Sequence, residues 1–368
     1  MISYWLTLAI CVPAGAFLVR LFLIKHDCRH GSYFRRKAFN NWVGRVLGVL
    51  TLTLYDVWRR DHAIHHATSG NLDKRGTGDI DTLTIREYRA LARLRRIAYH
   101  LYRHPLIMFV VGPAYHFLLR NRLPLGFANA DRWFWISAMG MNATIALVAG
   151  VMIYFLGLGP FLVVQLPITL LAATIGVWLF YIQHQFEDTV WAEDHAWNSH
   201  DAALFGSSHY DLPRILSWIT ANIGVHHVHH LNCRIPYYRL PQVLRDVPGL
   251  TKIRCLTLMQ SFVCMRLRLW DEGQRKLVSF SEARELKADA TSAMEESALG
   301  QKQTFISLPQ NVRFRGQSGN TRPHKKRRPA LPGDRLSNCA AALNAAGGLT
   351  SYPKYLHQLP GRRILGTA

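Results

Sequence analysis

Residues 139–182 read MGMNATIALVAGVMIYFLGLGPFLVVQLPITLLAATIGVWLFYI and carry the strongest structural signal in the chain. The runs 139–156 and 161–182 are each close to the ~20 apolar residues that cross ~30 Å of hydrocarbon. Residues 157–160, Gly-Leu-Gly-Pro, lie between the two runs and favour a turn. We therefore expect two membrane-spanning helices joined as a hairpin. A third apolar run, about 4–24, predicts one further span.

Histidines fall into three clusters at helical spacing. HDCRH (26–30) comes directly after the first span, HAIHH (62–66) follows, and HHVHH (226–230) comes after the hairpin. Residues three and four positions apart share one face of a helix, so each cluster can direct two or three imidazoles to one point. This spacing selects eight candidate metal ligands: His26, His30, His62, His65, His66, His226, His229 and His230.

One isolated histidine joins this set. His184 comes at the end of the third span, one helix end away from the third cluster, so we include it among the candidate ligands. Acidic neighbours could orient ligand imidazoles, although solvation, helix caps and salt bridges to arginine are the ordinary roles of such acids. The candidates for this orienting role are Asp27, Asp79, Glu187 and the remaining histidine of the third cluster, His227, whose alternative role is that of a bystander.

The chemistry of imidazole narrows the choice of metal. Imidazole suits iron, zinc, copper and nickel, whereas magnesium and calcium prefer oxygen ligands. A single zinc ion is complete with four ligands, so eight or nine histidines indicate two ions. Nearly all-nitrogen ligation with few carboxylates favours two iron ions that activate dioxygen. Such an oxidant can attack an unactivated methylene, which explains a site at a membrane surface with a lipid chain as substrate.

The charge of the chain is strongly positive, at +21, with 44 Lys and Arg against 23 Asp and Glu. Nucleic-acid binding is disfavoured because the basic residues follow the spans, whereas the 157–160 turn carries no charge. Positive residues collect in cytoplasmic loops, so all three histidine clusters are expected on the cytoplasmic side of the membrane. One span before the first cluster then places the amino terminus outside. The same basic surface would attract anionic headgroups or an acidic redox partner.

The segments between the clusters must return the chain to the same side. Residues 41–58 and 105–119 are apolar but interrupted or short, so we expect both to lie at the membrane interface rather than cross it. The predicted fold is therefore an all-α integral membrane protein, with spans, interfacial helices and a cytoplasmic histidine-ligated di-iron cap. We assign 1–280 to this membrane domain and 281–368 to a disordered basic tail. The six cysteines show no framework spacing, so no disulfides are expected.

The motifs resemble those of the membrane fatty-acid desaturases, particularly the bacterial acyl-lipid type related to delta-12 (omega-6) enzymes. The resemblance covers roughly residues 15–280 and includes the three histidine boxes in order around a membrane hairpin. Two features depart from the family pattern: Arg29 stands where the family usually has Gly, and one span precedes the first box where the family usually has two. The matching motifs are HDCRHGS (26–32), WRRDHAIHH (58–66), GTGDI (76–80), QHQFED (183–188) and NIGVHHVHH (222–230).

This resemblance implies function as well as fold. It implies a di-iron centre held by the box histidines, with His184 as an additional ligand, and dioxygen as the oxidant. It also implies electrons from a ferredoxin or a cytochrome b5-like donor, and a fatty acyl lipid or acyl thioester as substrate. The expected reaction forms a cis double bond, at the cytoplasmic face of what we expect to be a bacterial inner membrane.

Three alternatives to desaturation follow from the same sequence. A di-iron hydroxylase or ketolase acting on lipids or carotenoids could share this site, and only its product would differ. A histidine-rich metal transporter would place ionisable ligands near the middle of its spans, whereas these spans carry no acid or histidine there. An inactive desaturase relative is the third alternative, because Arg29 and the unusual termini depart from the family pattern.

Overall fold

Three long helices dominate the protein. The structure, a computed structural model, describes residues 3–76, 78–124, 127 and 130–286 of the chain. The long helices are α1 (Tyr4–His30), α7 (Arg132–Leu156) and α8 (Leu158–His184), and each is long and apolar enough to cross a membrane. At most 22% of the most apolar window of each is buried inside the protein, which leaves their surfaces available to lipid. A long apolar helix is confirmed at each of the three predicted spans, and each helix extends beyond the predicted limits.

The hairpin between α7 and α8 is tighter than predicted. Only Gly157 separates the two helices, at φ +83°, a conformation that side chains with a Cβ rarely adopt. Pro160 lies in the first turn of α8, where a missing N–H costs no helical hydrogen bond. The four-residue turn expected at 157–160 is therefore a one-residue turn followed directly by helix.

Helices α1 and α8 lie side by side and run in the same direction. Cys11 is opposite Val164, and Gly15 is opposite Ile168 and Leu171, so residue numbers increase together along the contact. A Cβ on Gly15 would lie 2.9 Å from the Leu171 side chain, which shows how closely the helices approach. Because α1 and α8 run in the same direction, the histidines at their carboxyl ends meet at one end of the helix pair.

Shorter helices make up most of the remaining described structure. They connect the long helices to one another and to the histidine-bearing segments. The α-helices are α2 (Lys37–Leu50), α3 (Tyr55–Thr68), α4 (Ile85–Ala90), α5 (Arg93–Tyr102), α6 (Gly112–Leu118), α9 (Ser199–Phe205), α10 (Arg214–Ile219), α11 (His226–Leu231), α12 (Leu240–Asp246) and α13 (Leu258–Cys264). A π-helical turn covers Ile107–Val111, and 3-10 turns cover Arg120–Arg122, Tyr237–Arg239 and Pro248–Leu250.

Neither of the two segments predicted to lie at the membrane interface forms a membrane-spanning helix. Residues 41–58 form the end of α2 and the start of α3, with a reversal at 51–54. Gly44 and Gly48 allow this reversal, because a Cβ on Gly44 would lie 2.3 Å from the ring of Tyr55. Residues 105–119 contain the π-helical turn and α6, which packs against α8.

Two small sheets were not predicted from the sequence. Strand β1 (Leu83–Thr84) pairs in parallel with β4 (Leu269–Asp271), which pairs antiparallel with β5 (Lys276–Val278). Strand β2 (His209–Asp211) pairs in parallel with β3 (Cys255–Thr257). Strands of two or three residues are too short to show an alternating pattern, so they could not be predicted from hydrophobic periodicity. The predicted all-α class is confirmed, with these sheets as additions.

A helical stretch over residues 280–286 packs on the first sheet. Its Ala283 is buried in a cluster with Ile85, Tyr99, Leu269 and Val278. The packed structure of the domain therefore continues past residue 280, the predicted start of the tail, at least to residue 286. The rest of that predicted tail, 287–368, lies outside the described residues.

Candidate metal centre

Nine histidines converge in two groups. In each group, one possible ligand nitrogen per residue lies within 4.8 Å of those of all the other members. We call the larger group site 1 and the smaller group site 2. Site 1 comprises His26, His30, His62, His66 and His229, and site 2 comprises His65, His184, His226 and His230. These nine are the histidines selected from the sequence, and their role as ligands stays a prediction.

Four helix segments deliver these side chains. The last turns of α1 and α8 carry His26, His30 and His184, while α3 and α11 carry the rest. Helix α3 serves both sites, because His62 and His66 are four residues apart and share a face. His65 lies on the adjoining face of α3 and joins site 2.

The Nε2 atoms lie as close together as ligands of one ion. In site 1 the Nε2 of His62 is 3.0 Å from that of His30 and 3.1 Å from that of His66, which is 3.2 Å from that of His229. In site 2 the Nε2 atoms of His184 and His226 are 3.1 Å apart. Nitrogens that bind one ion at ~2 Å are separated by about 3 Å, so both groups match the spacing of a coordination shell.

The two sites adjoin each other. The rings of His66 in site 1 and His230 in site 2 stack with centroids 4.2 Å apart. The rings of His226 and His229 also stack across the two groups, at 5.4 Å. Since these pairs join the sites from α3 and α11, two ions held here would be neighbours.

Burial keeps the imidazoles outside the long helices neutral. Desolvation lowers the pKa of His62, His66, His226, His229 and His230 well below the usual value, and repulsion between neighbouring imidazolium charges adds to this effect. A neutral imidazole presents a lone pair, which is the form that binds a metal. A set of nitrogen donors of this kind fits a first-row transition metal such as iron and does not fit magnesium or calcium.

Two acceptors fix ligand orientation in site 2. The Nδ1 of His65 lies 2.5 Å from Oδ1 of Asp79, and the Nδ1 of His184 lies 3.2 Å from the carbonyl oxygen of Gly206. When Nδ1 donates its proton to such an acceptor, the lone pair is on Nε2, which faces the site. Asp79 therefore occupies the orienting position predicted for it.

The other three candidates for this role differ. Asp27 has Oδ1 3.4 Å from Nδ1 of His26, while its Oδ2 accepts a 2.7 Å hydrogen bond from the backbone of Tyr237. His227 is turned away from both sites and places Nε2 3.0 Å from the carbonyl oxygen of Leu250, because successive side chains of a helix point in different directions.

Glu187 lies farther out than the other candidates. Its carboxylate pairs with Lys276 at 3.4 Å and is 61% exposed. Among the described residues, neither Glu187 nor His227 contacts any of the nine histidines through a hydrogen bond, so the orienting role proposed for these two is not supported by their position.

One neighbour of site 1, Trp58, was not predicted from the sequence. The ring of Trp58 stacks on His62 at 4.8 Å, and its position four residues before His62 in α3 was a usable signal. The guanidinium of Arg29, the residue that departs from the family pattern between His26 and His30, also neighbours site 1. Its Nη1 lies 3.3 Å from Nδ1 of His30, and its Nε donates to the carbonyl oxygen of Arg59.

Among the residues that the structure describes, the other cysteines and histidines are not members of site 1 or site 2. The described cysteines (11, 28, 233, 255 and 264) are all free thiols, as expected. The histidines that the sequence analysis left out of the ligand set are likewise outside sites 1 and 2: His100, His104, His116, His195, His200 and His209.

Long apolar helices that end at a polyhistidine centre define a class, the helical membrane proteins with a metal site at the membrane surface. Comparison with known proteins narrows the class. A profile of the family described as "Fatty acid desaturase" matches residues 3–259. The chain is 46% identical over 280 residues to the "Fatty acid desaturase" of Bacillus subtilis (strain 168), covering 76% of this chain and 79% of that one.

Two cyanobacterial proteins are more distant relatives. The "sn-1 oleoyl-lipid 12-desaturase" of Anabaena variabilis is 25% identical over 65% of this chain and 68% of its own. The "sn-1 acyl-lipid omega-3 desaturase (ferredoxin)" of Synechocystis sp. (strain ATCC 27184 / PCC 6803 / Kazusa) is 29% identical over 61% of this chain and 63% of its own. This chain belongs to the fatty acid desaturase family and is a membrane-bound oxidoreductase of that family.

Proposed function

We propose that this protein is an oxygen-dependent di-iron desaturase that introduces a cis double bond into a fatty acyl chain at the membrane surface. The observation that carries the proposal is the convergence of nine histidines into two adjoining groups at the ends of α1 and α8. Family membership supports the same conclusion.

Each site would hold one iron ion, with the site 1 and site 2 histidines as ligands. When bound, the iron pair would supply the activation of dioxygen and the oxidising strength needed to attack a methylene. The residues of the chain prepare the ligands. Asp79 and the Gly206 carbonyl hold His65 and His184 in the metal-binding tautomer, and burial keeps the imidazoles neutral.

The overall reaction determines which reactants must reach the site. Two hydrogen atoms leave neighbouring carbons of the acyl chain and a double bond forms between those carbons. Dioxygen takes up these two hydrogens together with two electrons from an external donor and two protons from water, and leaves as two water molecules. The site therefore needs an acyl chain from the membrane, an electron donor and a supply of protons.

The substrate and donor are proposed by class. An acyl lipid is favoured as substrate, because two relatives are named as acting on sn-1 acyl lipids. A ferredoxin or cytochrome b5-like protein is proposed as donor, since one of those names includes ferredoxin. Basic residues near the histidine clusters favour the cytoplasmic face as the location of the site, and we propose that the membrane is a bacterial inner membrane. The membrane domain, proposed as 1–280 and extended here through 286, would carry this activity without the tail.

The test is the fatty-acid profile of membranes from a host that expresses the full chain with a matching electron donor. A new unsaturated acyl chain that disappears in His229→Ala supports desaturation, and its bond position gives the regiochemistry. His195→Ala is the matched control, because His195 is exposed and lies outside both sites. A product that gains an oxygen atom would instead indicate a hydroxylase or ketolase. No new product from an iron-loaded protein supplied with electrons would overturn the proposal.

A further inference from the structure

A cavity of about 170 Å³ reaches both histidine sites from the protein surface. Its floor contains His66 of site 1 and His230 of site 2, the pair whose rings stack at 4.2 Å. Its mouth is formed by the start of α9, where Ser199 is exposed and the side chain of His200 is 44% exposed. The cavity thus connects solvent with the boundary between the two sites.

More of the exposed lining of this cavity is polar than apolar. Three histidines and two serines line it, together with Trp197, Ala202, Ala203 and Leu231. An acyl chain in this space would cover those polar groups without offering them hydrogen bonds, which is unfavourable. Water fits the space, because a polar cavity of this size can hold several molecules with suitable partners.

We propose that this cavity is the aqueous passage to the metal centre, through which water, protons and small anions reach both sites while the acyl chain approaches from elsewhere. The inference rests on the proposed function, both for the metal in the two histidine groups and for the protons and water that the reaction exchanges. The proposed reaction consumes two protons and forms two waters at a buried site, so a wet route between the site and solvent is required. Ala203 is a suitable position at which to close it, since this residue lines the cavity and is only 4% exposed, so a larger side chain there has little room except in the cavity.

Azide tests the passage without relying on desaturation. The full chain is loaded with ferric iron, and the rate at which azide changes its visible spectrum is measured by stopped flow. Ala203→Phe, which fills the cavity, is expected to slow azide binding at least tenfold at unchanged iron content. Ala196→Phe is the matched control, because Ala196 is exposed on the preceding loop and does not line the cavity.

A second variant provides an independent test in case Ala203→Phe does not fold. Ser199→Trp adds bulk at the exposed mouth without entering the core, and it is also expected to slow azide binding. A wild-type rate in either variant, at wild-type iron content, would overturn the proposal. If the wild-type protein binds azide through the passage but forms no alkene, the passage stands and the proposed function fails. If the protein binds no iron, both fail.

Discussion

Asp79 shows how a single residue outside the coordination shell can control a ligand. Its Oδ1 lies 2.5 Å from Nδ1 of His65, and the His65 side chain is only 1% exposed, so no solvent replaces this contact. The carboxylate holds the proton on Nδ1 and thereby keeps the lone pair of Nε2 directed into site 2. Nothing in the local sequence links the two residues, which are 14 positions apart.

Asp79→Asn is expected to weaken iron binding at site 2 by ~10–100-fold, because the amide lacks the charge that orients His65. The measurement is the iron-to-protein ratio during titration with a competing chelator. Glu187→Gln is the control, since Glu187 also follows a histidine motif but pairs with Lys276 at the surface. Equal iron affinity in the Asp79 variant and the wild type would contradict the orienting role.

Arg29 contrasts with Asp79, because it places a hydrogen-bond donor, not an acceptor, beside the Nδ1 of a candidate ligand histidine. Its Nη1 donor lies 3.3 Å from Nδ1 of His30, whose Nε2 faces site 1. A neutral imidazole that binds metal through Nε2 carries its proton on Nδ1, so the two groups would then present donors to each other. The guanidinium therefore competes with metal binding by His30.

Arg29→Met removes the donors while keeping a good helix former in α1. Site 1 is expected to bind iron several-fold more tightly, measured by the same chelator titration. The loss of the hydrogen bond to the carbonyl oxygen of Arg59 should cost about 1 kcal/mol of stability. Weaker iron binding in Arg29→Met would show that the guanidinium assists the site.

At the scale of elements, regular spans and cluster-bearing helices were predictable, whereas their connections were not. The spans and the selection of His226, His229 and His230 over His227 follow from apolar length and from helical spacing, which are local properties. The Gly206 carbonyl and the two small sheets depend on contacts between distant segments. Asp79 was a candidate from the sequence, but its pairing with His65 in particular was not predictable. β1 and β4, for example, pair Leu83 with Leu269.

Arg103, directly after α5, joins several of these segments. It is fully buried, and its guanidinium donates to the carbonyl oxygens of Asp81 and Leu267, the hydroxyl of Thr82 and Oε1 of Gln185. Asp81 follows the Asp79 loop and Gln185 follows His184. The Arg103 side chain thus connects two loops next to site 2 with the segment before β4 through hydrogen bonds.

Arg103→Met is expected to lower the free energy of unfolding by at least about 3 kcal/mol, because several buried acceptors would lose their donor at ~1–3 kcal/mol each. The measurement is the thermal midpoint in detergent micelles. Arg103→Lys should restore little, since an ammonium cannot span acceptors placed for a planar fork. Arg95→Met, on the exposed face of α5, is the control and should leave the midpoint unchanged. A wild-type midpoint for Arg103→Met would rule out this role.

At the scale of the whole molecule, the parallel packing of α1 and α8 puts every candidate ligand at one end and the α7–α8 turn at the other. Residues at the turn are exposed: a Cβ on Gly159 would meet nothing within 4 Å. Cys255 is exposed beside β2 in the part of the protein that surrounds the site. If positive residues mark the cytoplasmic side, these two positions face opposite compartments.

Labelling with a membrane-impermeant maleimide in intact spheroplasts tests this orientation. In a chain whose other cysteines are replaced, Gly159→Cys is expected to react from outside, and a chain retaining only Cys255 is expected to react only after lysis. The span of α8 separates them, since 27 helical residues cover ~40 Å, more than the hydrocarbon core. The reverse labelling pattern would place the histidine centre outside the cytoplasm. It would then exclude a cytoplasmic ferredoxin or cytochrome as the direct electron donor, even if desaturation itself were observed.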